Sequence, residues 1–299
     1  MKVEPSPPPV KGWVPDVALA VVASNERVDP KAFSEMLDSF RRVFHDAKLN
    51  AEILVVDDGV GGEFWEALTL LHTKIPGFKA VRFRRTFGES IALRVAVERT
   101  KAPFVITNTW YMQVDPEVVP KVIDLLRGEA DCVASRRLKR VDSGLARLQS
   151  WAFNGLTRLL TSADFRDLNC SFRGFRREVL EAVQLHGDLF RFVPILAMGQ
   201  GFRVEEICVQ HVAEKGPSTF LNVNLYLRRL LDILSLFFLM KFTKKPLRFF
   251  GLTGFFLFLL GFVAAVYVGF DRYINDTGAL DRPETVIAIF LMVLGPIML

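Results

Sequence analysis

A chain of 299 residues has room for one full α/β domain plus extra elements. Its net charge of +5 would suit nucleic acid. However, much of the basic excess flanks a hydrophobic C-terminal segment, and no aromatic-basic platform is present, which argues against a nucleic-acid binder. The three cysteines, Cys132, Cys170 and Cys208, are odd in number, far apart and without metal-type pairing, so reduced cytosolic thiols in core positions are expected.

Residues 1–15 are polar and proline-rich and read as a disordered lead-in, not a signal peptide. Val17 to Ala23 is a continuous apolar run of strand length, suited to a strand covered on both faces. Asp29-Pro30 opens a helix, and Phe33, Met36, Leu37, Phe40, Val43 and Phe44 fall on one face of it. Ile53 to Val56 is a second buried strand ending in Asp57-Asp58-Gly59. A helix over Glu63 to Leu71 follows. Phe78 to Phe83 is a third strand that runs into Arg84-Arg85-Thr86-Phe87-Gly88. Glu89 to Arg99 is helical, and Phe104 to Ile106 is a fourth strand. After it, Thr107 to Val114 is expected to be a loop over the carboxyl ends of the strands, where α/β sheets bind ligands. Asp115-Pro116 then starts a helix with its apolar face at Val118, Val119, Val122, Ile123, Leu125 and Leu126. Asp131 to Ser135 is a fifth strand, and the basic run Arg136 to Arg140 reads as the loop after it. The alternation predicts a mainly parallel, doubly wound α/β sheet.

From Ser135 to Phe220 the pattern is less regular. Leu145 to Leu160 reads as a helix. Arg166 to Arg173 reads as a loop turning into a strand, Phe190 to Met198 as a helix and Val204 to Val212 as a strand. Residues 16–220 therefore form the main domain. Residues 221–246 are an amphipathic juxtamembrane segment, apolar but interrupted by Arg228, Arg229 and Asp232. Lys241, Lys244, Lys245 and Arg248 make a basic collar. Phe249 to Phe270 is a charge-free run of about 22 residues, long enough for a hydrocarbon core. The transmembrane helix is assigned to 247–270, an acidic external loop to 271–285, and an apparently incomplete second span to 286–299. The collar places the N-terminal domain in the cytoplasm.

The ordered set Asn25-Glu26, Val55-Val56-Asp57-Asp58-Gly59, Phe87-Gly88, Arg136 with Arg140 and Asp142-Ser143, Asp167-x-Asn169-Cys170-x-Phe172 and Arg191-Phe192-x-Pro194 resembles family-2 glycosyltransferases. More narrowly it is similar to the polyprenyl-phosphate branch, which includes dolichol-phosphate mannosyltransferases and bactoprenol glucosyltransferases. The resemblance runs from Val17 to Leu299. It implies a GT-A (nucleotide-diphospho-sugar transferase) fold, a C-terminal transmembrane hairpin, and inverting transfer of one sugar from a UDP- or GDP-linked nucleotide sugar to a polyprenyl phosphate.

Glu26 and Asp57, at the ends of adjacent strands, suit the hydrogen-bond donors of a base and ribose; the alternative is that they are cap and turn residues. Asn25, Asp58, Gly59, Arg84, Arg85 and Gly88 complete the nucleotide-sugar candidates. Arg136 and Arg140 suit the acceptor phosphate, which is already an anion and needs positioning more than a general base. The alternative is a solvated basic face near anionic lipid. Asp167, Arg191 and Lys215 are further pocket candidates, with Arg191 either contacting phosphate or pairing with Asp167 or Glu206. His211 reads as a strand-end histidine.

Members of the family carry Asp-x-Asp in the loop after the fourth strand, where the carboxylates hold Mg²⁺ or Mn²⁺ against the diphosphate. Here the matched positions are Thr109, Trp110 and Tyr111, and neutral hydroxyls are weak ligands for a hard dication. A metal is expected only if Asp115 or another carboxylate substitutes. Trp110 and Tyr111 either fill the vacated metal site or stack on a sugar or base. The later basic loop is also altered, with Glu214-Lys215-Gly216-Pro217-Ser218 in place of Gly-x-Ser-Lys, and Val60 stands where a serine is usual. Two readings follow: a lipid-phosphate glycosyltransferase working with little or no metal, or a silent family member acting as scaffold, sensor or partner of an active glycosyltransferase. A homo-oligomer suits either.

Overall fold

A computed structural model describes residues 13–24, 28–138, 167–183, 189–212, 246–275 and 283–298, together with positions 155, 165 and 187 and parts of 231–238. It divides into two compact units, Met1–Ile233 and Leu234–Leu299. The expected helix over 145–160 and the amphipathic segment 221–246 lie almost wholly outside the described residues.

The first unit is built on a seven-stranded sheet. Its strands are β1 (Val17–Ser24), β2 (Ala51–Asp58), β3 (Phe78–Arg82), β4 (Phe104–Thr109), β5 (Cys132–Leu138), β6 (Arg173–Arg176) and β7 (Val204–Gln210), in the spatial order β3-β2-β1-β4-β6-β5-β7. β1, β2, β3 and β4 are parallel, and β5 is parallel to β7. Only β6 runs antiparallel, wedged between β4 and β5. The apolar runs of β1 and β2 are buried on both faces, as helix-covered parallel strands require.

Helix α1 (Pro30–Asp46) begins where Asp29 accepts a hydrogen bond from the Lys31 N–H at 2.9 Å, with proline in the first turn. Ala32, Phe33, Met36, Leu37, Phe40 and Phe44 form its buried face. Phe33 meets Phe64 of α2 (Gly62–Lys74) edge-on at 5.3 Å, and Phe40 lies 6.1 Å from Phe172. Helices α3 (Glu89–Arg99) and α4 (Val119–Arg127) follow β3 and β4. Two short helices, α5 (Arg177–Ala182) and α6 (Val193–Gly199), complete the described part of this unit. A 3-10 turn at Leu189–Phe192 precedes α6, so the helix expected from Phe190 starts as a tighter turn.

Two strands are longer than the sequence pattern indicates. β4 continues through Thr107 and Asn108 to Thr109, because its ladder with β1 runs to the pair Val22 and Thr109. β5 continues to Leu138, because β7 pairs with it from Cys132 opposite Val204 to Leu138 opposite Gln210. Arg136 and Arg137 are therefore strand residues, not loop residues.

In the second unit, α7 (Pro246–Asn275) and α8 (Pro283–Met298) pack side by side. Helix α7 runs five residues past Phe270 and α8 begins at Pro283, so both helices enter the span 271–285 expected to be a loop. Phe250–Asp271 is long and apolar enough to cross a membrane, and α8 is a shorter apolar helix. Gly254, Gly261 and Val268 face inward at seven-residue spacing, as do Ala288 and Gly295. A Cβ on Gly261 would stand 2.6 Å from the Met292 nitrogen, and one on Gly295 2.6 Å from the Gly254 oxygen. Small residues thus let the two backbones touch, the contact that works where water supplies no hydrophobic drive. The outward side chains, including Leu252, Phe256, Leu260 and Tyr267, are exposed.

Glycine also decides a contact in the sheet domain. A Cβ on Gly174 of β6 would stand 2.3 Å from Val122 Cγ1 and 3.1 Å from Leu126 Cδ1 of α4. Replacing Gly174 with valine should destabilise the first unit by about 1–3 kcal/mol. The shift in the guanidinium unfolding midpoint of the full chain, followed by tryptophan fluorescence, measures it.

Candidate functional site

Parallel register brings Asp57, Asp58, Arg82 and Thr109 to the same edge of the sheet. Asp57 stands opposite Ala23 and Arg82, Asp58 opposite Ser24, and Thr109 opposite Val22. Successive strands are about 4.8 Å apart, so this edge gathers the sequence candidates within three strand spacings.

Both aspartates are fully buried, and each organises a turn. The Asp57 carboxylate accepts hydrogen bonds from the N–H of Val60 at 2.7 Å and of Gly61 at 3.1 and 3.2 Å. Arg82 Nε approaches it to 3.7 Å. The Asp58 carboxylate reaches across to the next loop, where it accepts from the N–H of Phe87 at 2.6 Å and of Gly88 at 2.9 Å. Gly59 makes that reach possible. Its φ is +90°, and a Cβ there would meet Thr86 Oγ1 at 2.8 Å. Of the two readings of Asp57, the turn role is the one its geometry displays, since its oxygens are already engaged and have no exposed surface.

The loop so clamped carries the charge. Phe83 is buried and meets Phe87 edge-on at 5.3 Å. Arg85 lies over the Phe87 ring at 4.9 Å, and Arg82 over the Trp65 ring at 5.7 Å. Arg84 and Arg85 are exposed. The loop ends at Gly88, with φ +96°, which starts α3 without a side-chain cap.

The end of β4 is closed on itself. Thr109 Oγ1 donates to the Tyr111 carbonyl at 2.9 Å. Asn108 Nδ2 donates to the carbonyls of Thr109 at 2.9 Å and Tyr111 at 3.3 Å. Trp110 is enclosed in the hydrophobic core, with its ring 5.0 Å from that of Tyr111. A Trp110 with so little exposed surface does not stack on a ligand, which corrects that expectation for this residue. Gln113 Oε1 accepts from the Ser171 N–H at 3.0 Å, and the Val212 N–H donates to the Gln113 carbonyl at 3.1 Å. His211 forms an antiparallel bridge with Val114, so the end of β7 is tied to this loop. Asp115 caps the following 3-10 turn by accepting from the Glu117 N–H at 3.1 Å. It lines a surface cavity of about 660 Å³ shared with Ser39, Arg42 and Asp46 of α1.

Behind this edge stands a buried ionic scaffold that the sequence reading did not single out. Arg137 Nε and Nη2 donate to the two carboxylate oxygens of Asp167 at 2.7 and 3.1 Å, and the Arg137 N–H donates to the same group at 3.2 Å. Asp167 is thus partnered by Arg137, not Arg191, and serves as a strut. Arg173 is fully buried and donates to the carbonyls of Phe190 at 2.8 Å and Leu168 at 2.6 Å, and burial lowers its pKa. Ser90 of α3 accepts from the Phe190 N–H at 3.0 Å. Alternation along β5 was the available signal for Arg137: a strand reaching Leu138 must turn one of two adjacent arginines inward. Arg136 is the half-exposed one, and Arg191 is half-exposed on the 3-10 turn. Asn25, Glu26, Arg140 and Lys215 lie outside the described residues.

The residues present do not fit a divalent cation at the end of β4, where the side chains of Asn108, Thr109 and Tyr111 offer only neutral oxygens and no carboxylate. Among the described residues no group of three His, Cys, Asp or Glu side chains converges.

The family model described as "Glycosyl transferase family 2" matches residues 19–184, from β1 beyond α5. The chain belongs to this family. Its curated relatives include the dodecaprenyl-phosphate galacturonate synthase of Rhizobium johnstonii, 28% identical over 81% of this chain and 73% of the relative. Another is the undecaprenyl-phosphate 4-deoxy-4-formamido-L-arabinose transferase of Pseudomonas savastanoi pv. phaseolicola, 28% identical over 83% and 72%. Among solved structures, the fold is similar to glucosyl-3-phosphoglycerate synthase of Mycobacterium tuberculosis in complex with Mn²⁺, UDP and phosphoglyceric acid. The TM-score is 0.58 at 13% identity, covering 76% of this chain and 78% of that one. It is also similar to a mannosyltransferase of Pyrobaculum calidifontis in complex with GDP-Man and Mn²⁺. There the TM-score is 0.53 at 14% identity, covering 77% of this chain and 65% of that one. The parallel GT-A-like sheet of this glycosyltransferase is therefore that of its family.

Two outcomes follow from the scaffold. Asp167→Ala removes the two-point carboxylate partner of the buried Arg137 guanidinium and should cost about 3–5 kcal/mol, whereas the paired change Arg137→Met with Asp167→Leu should recover most of that. Denaturant midpoints of the three proteins decide it. Burial pushes the thiol of Cys132 up to about 12 and that of Cys170 up to about 11, while Cys208 on β7 is exposed, unlike the core position expected for it. In a thiol-reagent titration of the native chain at pH 8, Cys208 should react at once and the other two only on unfolding. Because the raised thiols keep their protons in the folded state, they support folding fully below the ordinary 9.0 and lose that support as pH climbs toward 11–12.

Proposed function

We propose that this chain is a membrane-anchored, inverting glycosyltransferase that moves one sugar from a nucleotide sugar to a polyprenyl phosphate. The observation that carries the reading is the extent of the likeness. Relatives named for transfer to dodecaprenyl and undecaprenyl phosphate match over 81–83% of the chain, well beyond the family domain alone. The exposed apolar surface of α7 and α8 supports an anchor in the membrane that also carries a polyprenyl phosphate. The basic collar and the acids near Asp276, Asp281 and Glu284 support a cytoplasmic first unit.

The chemistry asks little of a general base. A phosphate oxygen of the lipid attacks the anomeric carbon of the donor sugar. The new carbon–oxygen bond forms as the bond to the diphosphate oxygen breaks, and the electron pair leaves with the nucleoside diphosphate. Attack opposite the leaving group inverts the anomeric centre. The acceptor is already ionised, so alignment is the main contribution required of the protein. Arg136, at the carboxyl end of β5, and Arg191, beside α3, are the described arginines suited to hold that phosphate, together with Arg140. Arg191 makes no ion pair among the described residues, which leaves its guanidinium available for an anion.

Purified chain in detergent should transfer labelled sugar from a UDP- or GDP-sugar to undecaprenyl phosphate. Arg136→Ala should lower kcat/KM for the lipid by about 10²-fold with donor affinity unchanged. Absence of lipid-linked product from every donor, in protein that still binds nucleotide, would remove the transferase reading and leave the scaffold or partner role.

A further inference from the structure

The divalent cation implied by the fold family has no place at the end of β4, and the charge it would have supplied is found elsewhere on the same edge. We infer that the donor's diphosphate is met by the fixed guanidinium groups of the Arg84–Arg85 loop, and that donor binding is independent of a divalent cation. This rests on the transferase reading above and deepens it.

The argument has three parts. First, a hard dication needs several oxygen ligands, with carboxylates among them. The Thr109 hydroxyl and Asn108 Nδ2 donate to the carbonyls of their own turn, neither side chain is a carboxylate, and the Trp110 that follows them is packed into the core. The turn is satisfied as it stands, and opening it would strand these groups and expose an indole. Second, among the described residues no nearby carboxylate is free to replace the missing pair. Asp57 and Asp58 are fully buried and hold the Val60, Gly61, Phe87 and Gly88 amides. Asp115 caps the 3-10 turn and opens onto the cavity against α1, beside Arg42.

Third, the loop between β3 and α3 is built to hold positive charge in place. Asp58 clamps its far end, Phe83 and Phe87 close it by an edge contact, and Gly59 lets the two turns approach. Arg85 is held over Phe87, and Arg84 is exposed and without an ion pair among the described residues. A leaving diphosphate gains negative charge as the glycosidic bond breaks. Fixed cations placed before that moment stabilise it with little reorganisation, which is the service a metal gives as a Lewis acid. A guanidinium fork also matches the geometry of phosphate oxygens.

The test is calorimetric titration of the full chain in detergent with UDP and with GDP, in EDTA and in Mn²⁺, alongside the Arg84→Ala/Arg85→Ala double variant. Binding of one nucleotide should be equal in EDTA and Mn²⁺ to within about twofold. The double variant, whose residues are exposed and whose thermal unfolding should be unchanged, should bind at least about tenfold more weakly. The paramagnetic-resonance signal of Mn²⁺ mixed with nucleotide should be unchanged when the protein is added. Binding that requires Mn²⁺ would overturn this inference and leave the transferase reading intact. Wild-type affinity in the double variant would overturn the assignment to these arginines. No binding of either nucleotide under any condition, by folded protein, would sink the transferase reading and this inference with it.

Discussion

The candidate site depends on two adjacent carboxylates at the carboxyl end of β2. Asp57 and Asp58 have no exposed surface, and between them they accept hydrogen bonds from four backbone N–H groups in two different turns. A buried carboxylate without such partners would be costly, and these turns without an acceptor would leave several amides unpaired. Each need answers the other. The result is a rigid floor that sets where the Arg84–Arg85 loop sits, because the far end of that loop is fixed by Asp58 itself. Charge at this edge is held by geometry more than by ion pairing.

The same edge shows how one change of residue type alters a site. Two carboxylates at Thr109 and Tyr111 would repel each other unless a cation lay between them. The residues present have no such need, so the turn closes on its own carbonyls and the intervening side chain enters the core. On the reading proposed above, the positive charge for an anionic donor comes from the arginines after β3. The Arg137–Asp167 pair and the buried Arg173 stand behind this surface and fix β5, β6 and the Leu189–Phe192 turn relative to α3. Their role is to keep the half-exposed arginines, Arg136 and Arg191, on a frame that does not shift.

The C-terminal unit is organised by a different rule. Its outer surface is apolar nearly all round, whereas its inner seam is glycine, alanine and Val268 at seven-residue intervals. On the proposed reading as a membrane anchor, burying large side chains between the helices would bring no advantage, because hydrocarbon solvates their outer faces equally well. Close backbone contact does bring one, and Gly254, Gly261 and Gly295 permit it.

Much of this was legible in the residues. The apolar runs of β1 and β2, the Asp29-Pro30 and Asp115-Pro116 starts, the order of motifs and the long apolar helix are local patterns, and local patterns survive folding. The family and the GT-A-like sheet followed from them. What the chain alone left open was decided by partners distant in sequence. Asp57 is a plausible ligand or a turn residue until Val60, Gly61 and Arg82 are seen around it. Arg136 and Arg137 are alike in sequence, yet the β7 ladder carries β5 past both and turns Arg137 inward to Asp167, thirty positions away. Trp110 lies in what reads as a ligand loop, but the sheet needed an indole in its core. A side chain's chemistry is written in the sequence. Whether its polar atoms are spent or free depends on which backbone groups the fold brings to it, and only the tertiary structure decides that.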